Sequence, residues 1–309
     1  MRSVGSPLPG DARTVGKQEQ MTLAPGQFAH SVKEHSPFTS RQMIVAKDYA
    51  RPFRQSHDHR RQIVDPRIGH QPESGERVAV VHIAAYSGPM TEAETRLADV
   101  CAAIAKAAKT AGRAAEATTL IAVSKTRIAE EIALLIAEGQ RDFGENRVQE
   151  AQLKWPALVK ATPEIRLHLV GQLQSNKAEE AVALFDVIHS VDRLSLISAL
   201  AKAQDKMVRK PACFLQVNIG EEDQKGGCAT GDIPVLLAEA QKAGVHIVGL
   251  MAVPPADHEP APYFALLAKL ARYHGLDQLS MGMSGDFETA VKLGATYIRV
   301  GTALFGARG

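Results

Sequence analysis

Lys125 follows an apolar run, residues 120–123, and stands where that run meets a polar loop. A lysine withdrawn from water favours its neutral amine, and a neutral amine can attack a carbonyl to form a Schiff base. The ordinary alternative is a loop lysine paired with an acid such as Glu145. Arg299 lies inside the apolar run 297–301, and a buried guanidinium needs a partner. That partner is either an acid of the protein or an acceptor on a ligand. The segment 280–286 is rich in small residues and includes Ser284, which is placed to cap a helix; Gly301 and Thr302 follow a later apolar run. Small residues at such turns let a phosphate reach free backbone N–H groups. Ser284, Gly301 and Thr302 are therefore candidate phosphate ligands, and the alternative is two plain strand–helix turns. Asp286 and Glu288 would repel an anion and are expected to point away from it. Asn146 is read as a helix cap or as an amide aimed at a ligand. His168 alternates with Leu167 and Leu169, so it faces an interior, as a core histidine or beside a ligand.

Short apolar runs alternate with amphipathic stretches from residue 91 onward, and these must position the reactive groups. Strands are expected over 119–124, 141–144, 167–171, 187–191, 213–219, 247–253, 278–283 and 297–301. Helices are expected over 91–111, 129–137, 147–159, 177–184, 194–206, 233–243, 262–273 and 287–293. Eight strands with intervening helices predict an α/β fold, a (β/α)8 TIM barrel, with an open doubly wound sheet as the runner-up. In such a barrel chemistry gathers at the C-terminal strand ends, and phosphate sites sit after the seventh and eighth strands. Lys125, Ser284, Gly301 and Thr302 all fall there. The histidines lack metal-ligand spacing, so no metal is expected, and no Gly-x-Gly-x-x-Gly opens a helix for a dinucleotide.

Composition divides the chain. Of 309 residues 45% are hydrophobic, which excludes global disorder. Residues 1–89 hold 12 of the 36 basic and 8 of the 34 acidic residues, a net +4. The remaining 24 basic and 26 acidic residues give −2 for 90–309. The first part also carries 8 of the 16 prolines and 6 of the 11 histidines. It reads as an irregular extension, or as sequence upstream of a natural start at Met90; a mitochondrial transit peptide is a weaker reading. Residues 90–309 read as the barrel domain. An overall charge of +2 and 5% aromatic residues argue against a nucleic-acid binder. The run 78–83 is too short to span a membrane. Three cysteines without paired spacing, Cys101, Cys213 and Cys228, fit a reducing compartment and a cytoplasmic location.

Several pieces occur in one order: Ala-Val-Ser-Lys-Thr at 122–126, Phe-Gly-Glu-Asn at 143–146, Gly-Gln-Leu-Gln-Ser-Asn-Lys at 171–177, Gln-Val-Asn-Ile at 216–219, Gly-Leu-Met-Ala at 249–252, Leu-Ser-Met-Gly-Met-Ser at 279–284 and Arg-Val-Gly-Thr-Ala-Leu-Phe-Gly-Ala-Arg at 299–308. Together they resemble the pyridoxal-phosphate homeostasis proteins, a family similar to the N-terminal barrel of alanine racemase standing alone. The resemblance covers 91–309 and leaves the first part unexplained. It implies a barrel of the fold type III kind found among pyridoxal-phosphate proteins. It implies that Lys125 binds pyridoxal 5′-phosphate as a Schiff base, that Ser284, Gly301 and Thr302 hold its phosphate, and that Arg299 faces the pyridine nitrogen. Asn146 and His168 would lie around the ring, walled by Met251 and Met281. Two positions depart from the family pattern: Leu167 stands where many relatives carry an aromatic, and Gly285 where an acidic or polar residue is common.

A fixed cation at the pyridine nitrogen disfavours its protonation, which weakens carbanion chemistry. Racemisation also needs a second acid–base group, supplied in alanine racemase by a tyrosine of an added domain. Tyr263, Tyr273 and Tyr297 sit at no obvious strand end, and no added domain is expected after Gly309. The resemblance thus implies a non-enzymatic cofactor carrier that maintains cofactor and amino-acid balance. Its partners would be pyridoxal phosphate and pyridoxal-phosphate-dependent apo-enzymes, with neither nucleic acid nor membrane, and the chain a monomer or weak homodimer. A weak amino-acid racemase, a cofactor-free Schiff-base lyase, and a module binding partners through the basic extension are the competing readings.

Overall fold

The computed structural model describes residues 91–306. The expectations for residues 1–90, and the end of the family segment at 307–309, lie outside them.

The elements alternate in chain order. They are α1 (Glu92–Thr110), β1 (Thr119–Val123), α2 (Ala129–Ala137), β2 (Asp142–Glu145), α3 (Val148–Ala161), β3 (Arg166–Leu169), α4 (Ala178–Leu184), β4 (Val187–Val191) and α5 (Leu194–Met207). Then follow β5 (Ala212–Gln216), α6 (Ile233–Lys242), β6 (Ile247–Met251), α7 (Ala261–Tyr273), β7 (Gln278–Ser280), α8 (Phe287–Lys292), β8 (Tyr297–Val300) and α9 (Thr302–Phe305). The strands pair in parallel in that order and close, with Thr119 of β1 opposite Tyr297 of β8. That last pairing decides for the barrel against an open sheet. α1 begins at a capping box: the Thr91 hydroxyl accepts the Glu94 N–H at 3.1 Å while the Glu94 carboxylate accepts the Thr91 N–H. Such a cap is worth about 1 kcal/mol. α1 packs on α8, α9 and α2, beside the seam where β8 meets β1.

Apolar residues form two layers. The larger joins outward strand residues such as Phe143, Leu169 and Ile188 to helix residues such as Trp155, Leu200 and Phe264. A small separate cluster, Ile121, Val187, Phe214, Met251 and Tyr297, fills the barrel interior. Alternation along each strand sorts side chains between the layers.

Several strands end short of their expected limits, β5 and β7 by three residues. β5 ends at Gln216, and Val217 makes an isolated bridge to Cys228. β7 ends at Ser280 rather than at 283, because Gly282 turns the chain at φ +92°, where a Cβ would lie 2.5 Å from the Ala290 methyl. The short α9 has no counterpart among the expected helices. Among the described residues, no helix is long and apolar enough to cross a membrane.

Candidate functional site

A cavity of about 450 Å³ opens at the C-terminal ends of the strands. Lys125, Asn146, Ser284, Arg299, Gly301 and Thr302 line it, so six of the nine sequence candidates meet in one place. Val123, Arg127, Val170, Val253, Met283 and Gly285 complete the wall. Among the described residues the lining has three cations and no carboxylate. Asp286 and Glu288 stay out of it, as expected.

The loop after β1 presents Lys125. Thr126 takes φ +63°, a left-handed conformation costly for a β-branched residue. Two α3 side chains hold that geometry. Glu150 accepts the Thr126 N–H at 2.5 Å, and the Lys154 ammonium donates to the Ser124 carbonyl at 2.7 Å and the Arg127 carbonyl at 3.3 Å. Lys154 also pairs with Glu145 at 2.8 Å and with Glu150 at 2.9 Å. The wholly buried Glu145 further accepts the Ser124 hydroxyl at 2.7 Å and the Trp155 indole N–H at 2.9 Å. Glu145 therefore belongs to Lys154, which removes the proposed Glu145 partner for Lys125. The Lys125 amine forms no hydrogen bond or ion pair among the described residues. Glu150 is held below the usual carboxylate range by the Lys154 and Thr126 hydrogen bonds, which outweigh its partial burial.

Arg299 leaves β8 with 5% exposure. It donates to the Ser280 hydroxyl at 2.7 Å and to the Ala252 carbonyl at 2.9 Å, both neutral. Burial pulls its pKa down to about 10, partly opposed by Asp286. Of the two partners left open for Arg299, a structural acid is not present among the described residues; its protein partners are neutral groups. Arg127, by contrast, pairs with Glu131 at 3.2 Å and donates to the Gly306 carbonyl at 2.6 Å.

Ser284 does not cap α8; Asp286 precedes that helix, and its carboxylate accepts the Met283 N–H. The Ser284 hydroxyl instead accepts the Gly301 N–H at 3.2 Å, linking the loops after β7 and β8. Asn146 does not cap α3 either, since Arg147 occupies that position. The Asn146 backbone is backed by Gly171, where a Cβ would lie 2.3 Å from the Asn146 carbonyl oxygen.

Three candidates do not line the cavity. His168 is wholly buried below it, bonded to Asp142 at 2.9 Å and His189 at 3.0 Å. Met251 belongs to the interior cluster. Met281 packs into the outer layer, and Met283 lines the cavity instead, because the turn at Gly282 ends the alternation expected there. Sequence reasoning missed Met283, Arg127 and the valine wall. Val253 stands at the end of an expected strand and was legible by the strand-end rule; Arg127 carried no comparable signal. None of Tyr263, Tyr273 and Tyr297 reaches the cavity.

The family described as alanine racemase, N-terminal domain, matches residues 100–309. A solved alanine racemase of Clostridium difficile shares the fold at 14% identity, with a TM-score of 0.52 over 68% of this chain and 57% of its own. Fold and site thus define an alanine racemase N-terminal-domain barrel. Two curated relatives are named pyridoxal phosphate homeostasis protein. That of Pseudomonas aeruginosa is 42% identical over 226 residues, 71% of this chain and 97% of the relative. That of Escherichia coli K12 is 37% identical over 229 residues, 71% and 98%. The structure of PipY from Synechococcus elongatus, solved without PLP, is 38% identical, with a TM-score of 0.62 over 70% of this chain and all of that one. A second PipY structure has PLP bound, with a TM-score of 0.60. This chain belongs to the pyridoxal phosphate homeostasis protein family.

Proposed function

We propose that the cavity holds pyridoxal 5′-phosphate and that the protein maintains intracellular supply of this cofactor without turnover of its own. One observation carries the reading. A lysine amine without partners and a buried guanidinium with only neutral partners line the same cavity, whose described lining has no acid. An uncompensated buried cation is costly, so the site suits a ligand bearing negative charge and acceptor atoms. The PLP-bound PipY structure and the names of the relatives support that ligand.

When bound, the cofactor supplies an aldehyde that condenses with the Lys125 amine. Arg299 would face the pyridine nitrogen as a donor and would disfavour protonation there. Ser284, Gly301 and Thr302 bind the phosphate, helped by the positive charge of Arg127 and Lys125. Asn146 orients the ring, and Val123, Val170, Val253 and Met283 exclude water from its faces. Among the described residues no tyrosine lines the cavity as a second acid–base group, which disfavours racemisation. The protein acts in the cytoplasm as a monomer or weak homodimer and passes its cofactor to apo-enzymes that depend on it.

Purified full-length protein mixed with pyridoxal phosphate should develop a band near about 420 nm that Lys125→Ala lacks. A wild-type chain that stays colourless refutes the cofactor reading. Alanine racemisation abolished by the same substitution refutes the absence of turnover.

A further inference from the structure

A file of polar groups crosses the otherwise apolar barrel interior. Arg299 Nη1 is 2.7 Å from Ser280 Oγ, and Ser280 Oγ is 2.8 Å from His189 Nδ1. His189 Nε2 is 3.0 Å from His168 Nδ1, and His168 Nε2 is 2.9 Å from Asp142 Oδ1. Ser280, His189 and His168 are wholly buried. Phe214 stacks on His189 at 4.5 Å and 5°, and Tyr297 meets it edge-on at 5.9 Å, so the ring is packed on two sides.

We propose that Asp142, His168, His189 and Ser280 form one hydrogen-bond chain of fixed direction that holds Arg299 as a donor into the cavity. The direction follows from the two ends. A guanidinium only donates and an ionised carboxylate only accepts. Ser280 accepts from Arg299, and its own proton then has one acceptor within reach, His189 Nδ1. His189 therefore carries its proton on Nε2 and gives it to His168 Nδ1. His168 carries its proton on Nε2 and gives it to Asp142. The opposite direction leaves a wholly buried Ser280 hydroxyl proton without an acceptor, which costs as much as a lost buried hydrogen bond. Burial, His168 and Arg299 all push His189 towards its neutral form, which suits a ring that must both accept and donate. Asp142 is anchored in turn by Arg166 at 2.6 Å. These four are positioning residues: none lines the cavity, and each acts through the next on Arg299.

Only the final step, the effect on cofactor binding, rests on the function proposed above; the tautomers are a property of the cofactor-free protein. Histidine-labelled full-length protein without cofactor, read by nitrogen NMR at neutral pH, tests them. His168→Gln and His189→Gln assign the signals. Both rings are expected to carry a single proton, on Nε2. A proton on His189 Nδ1, or a doubly protonated His168, overturns the chain. Asp142→Asn replaces an acceptor-only carboxylate with an amide that can also donate, so the direction of the chain is no longer forced, and it is expected to shift the His189 nitrogens although the two residues do not touch; unmoved His189 signals overturn the coupling. In spectral titrations, Ser280→Ala is expected to weaken pyridoxal phosphate binding about 10-fold, and Asp142→Asn by about 3-fold. Full affinity in both variants overturns the positioning role. A wild type that binds no cofactor refutes the proposed function and leaves the tautomer result standing.

Discussion

Lys154 reaches from α3 to place its ammonium 2.8 Å from the buried Glu145 carboxylate, directly beneath the loop that carries Lys125. One oxygen of Glu145 collects Lys154, Ser124 and Trp155, while the other has no hydrogen-bond partner. The pair thus ties the end of β2, the middle of α3 and the loop after β1 into one unit. Truncating one member of such a pair leaves a buried charge alone. Lys154→Met should therefore lower stability by about 3–5 kcal/mol in urea unfolding. Glu145→Gln added to Lys154→Met should recover part of that loss, and additive losses would count against the coupling.

The two ends of the cavity should be separable by ligand. Ser284→Ala and Thr302→Val should each weaken pyridoxal phosphate binding about 10-fold, the scale of one hydrogen bond to a charged group. The same variants should leave binding of pyridoxal, which lacks the phosphate, unchanged. Equal losses for both ligands would place the phosphate elsewhere.

His189 makes stability depend on pH. Burial first, then His168 and Arg299, hold its pKa well below 6.5. The unfolded chain therefore binds a proton near pH 6.5 that the folded chain refuses. Stability attributable to this group is complete above that value and declines as pH falls below it, by up to about 1.4 kcal/mol per pH unit. The groups facing the ring are His168 from β3, Phe214 from β5, Ser280 from β7, and Tyr297 and Arg299 from β8. His189→Gln should flatten the slope of unfolding free energy between pH 6.5 and 5; an unchanged slope would assign it to other groups.

Gly171 lets two loops cross. An added Cβ would lie 2.3 Å from the Asn146 carbonyl oxygen and 2.7 Å from its Cα, backbone atoms that cannot swing aside. Gly171→Ala should destabilise by about 1–3 kcal/mol, as overpacking does, and displace Asn146 from the cavity. Thermal unfolding measures the first effect and a cofactor titration the second. Gly285→Ala, which meets nothing within 4 Å, is the control expected to change stability little.

Much of the fold was legible because its signals are local. Apolar runs of four to seven residues separated by amphipathic stretches gave all eight strands, with β5 and β7 ending three residues short of the expected limits and β3 and β6 two residues short. The end of β7 failed for an identifiable reason. The apolar pattern continues through Met283, yet the backbone leaves the sheet at Gly282, and a glycine reads the same within a strand as at its end. The strand-end rule collected Lys125, Asn146, Ser284, Gly301 and Thr302. It said nothing of Lys154, which reads as one more charge on an amphipathic helix.

The sequence alone determined the order of strands and helices and put a lysine and an arginine at the ends of its first and last strands, because period and position are properties of neighbouring residues. Only closure of the barrel decided their partners. It set Glu145 against Lys154 instead of Lys125, gave Arg299 a serine of β7 in place of an acid, and lined up His168 with His189 and Asp142. Together with the bond from His189 to Ser280, those pairings join residues as far as 91 positions apart in the chain, and they depend on the register at which the strands close.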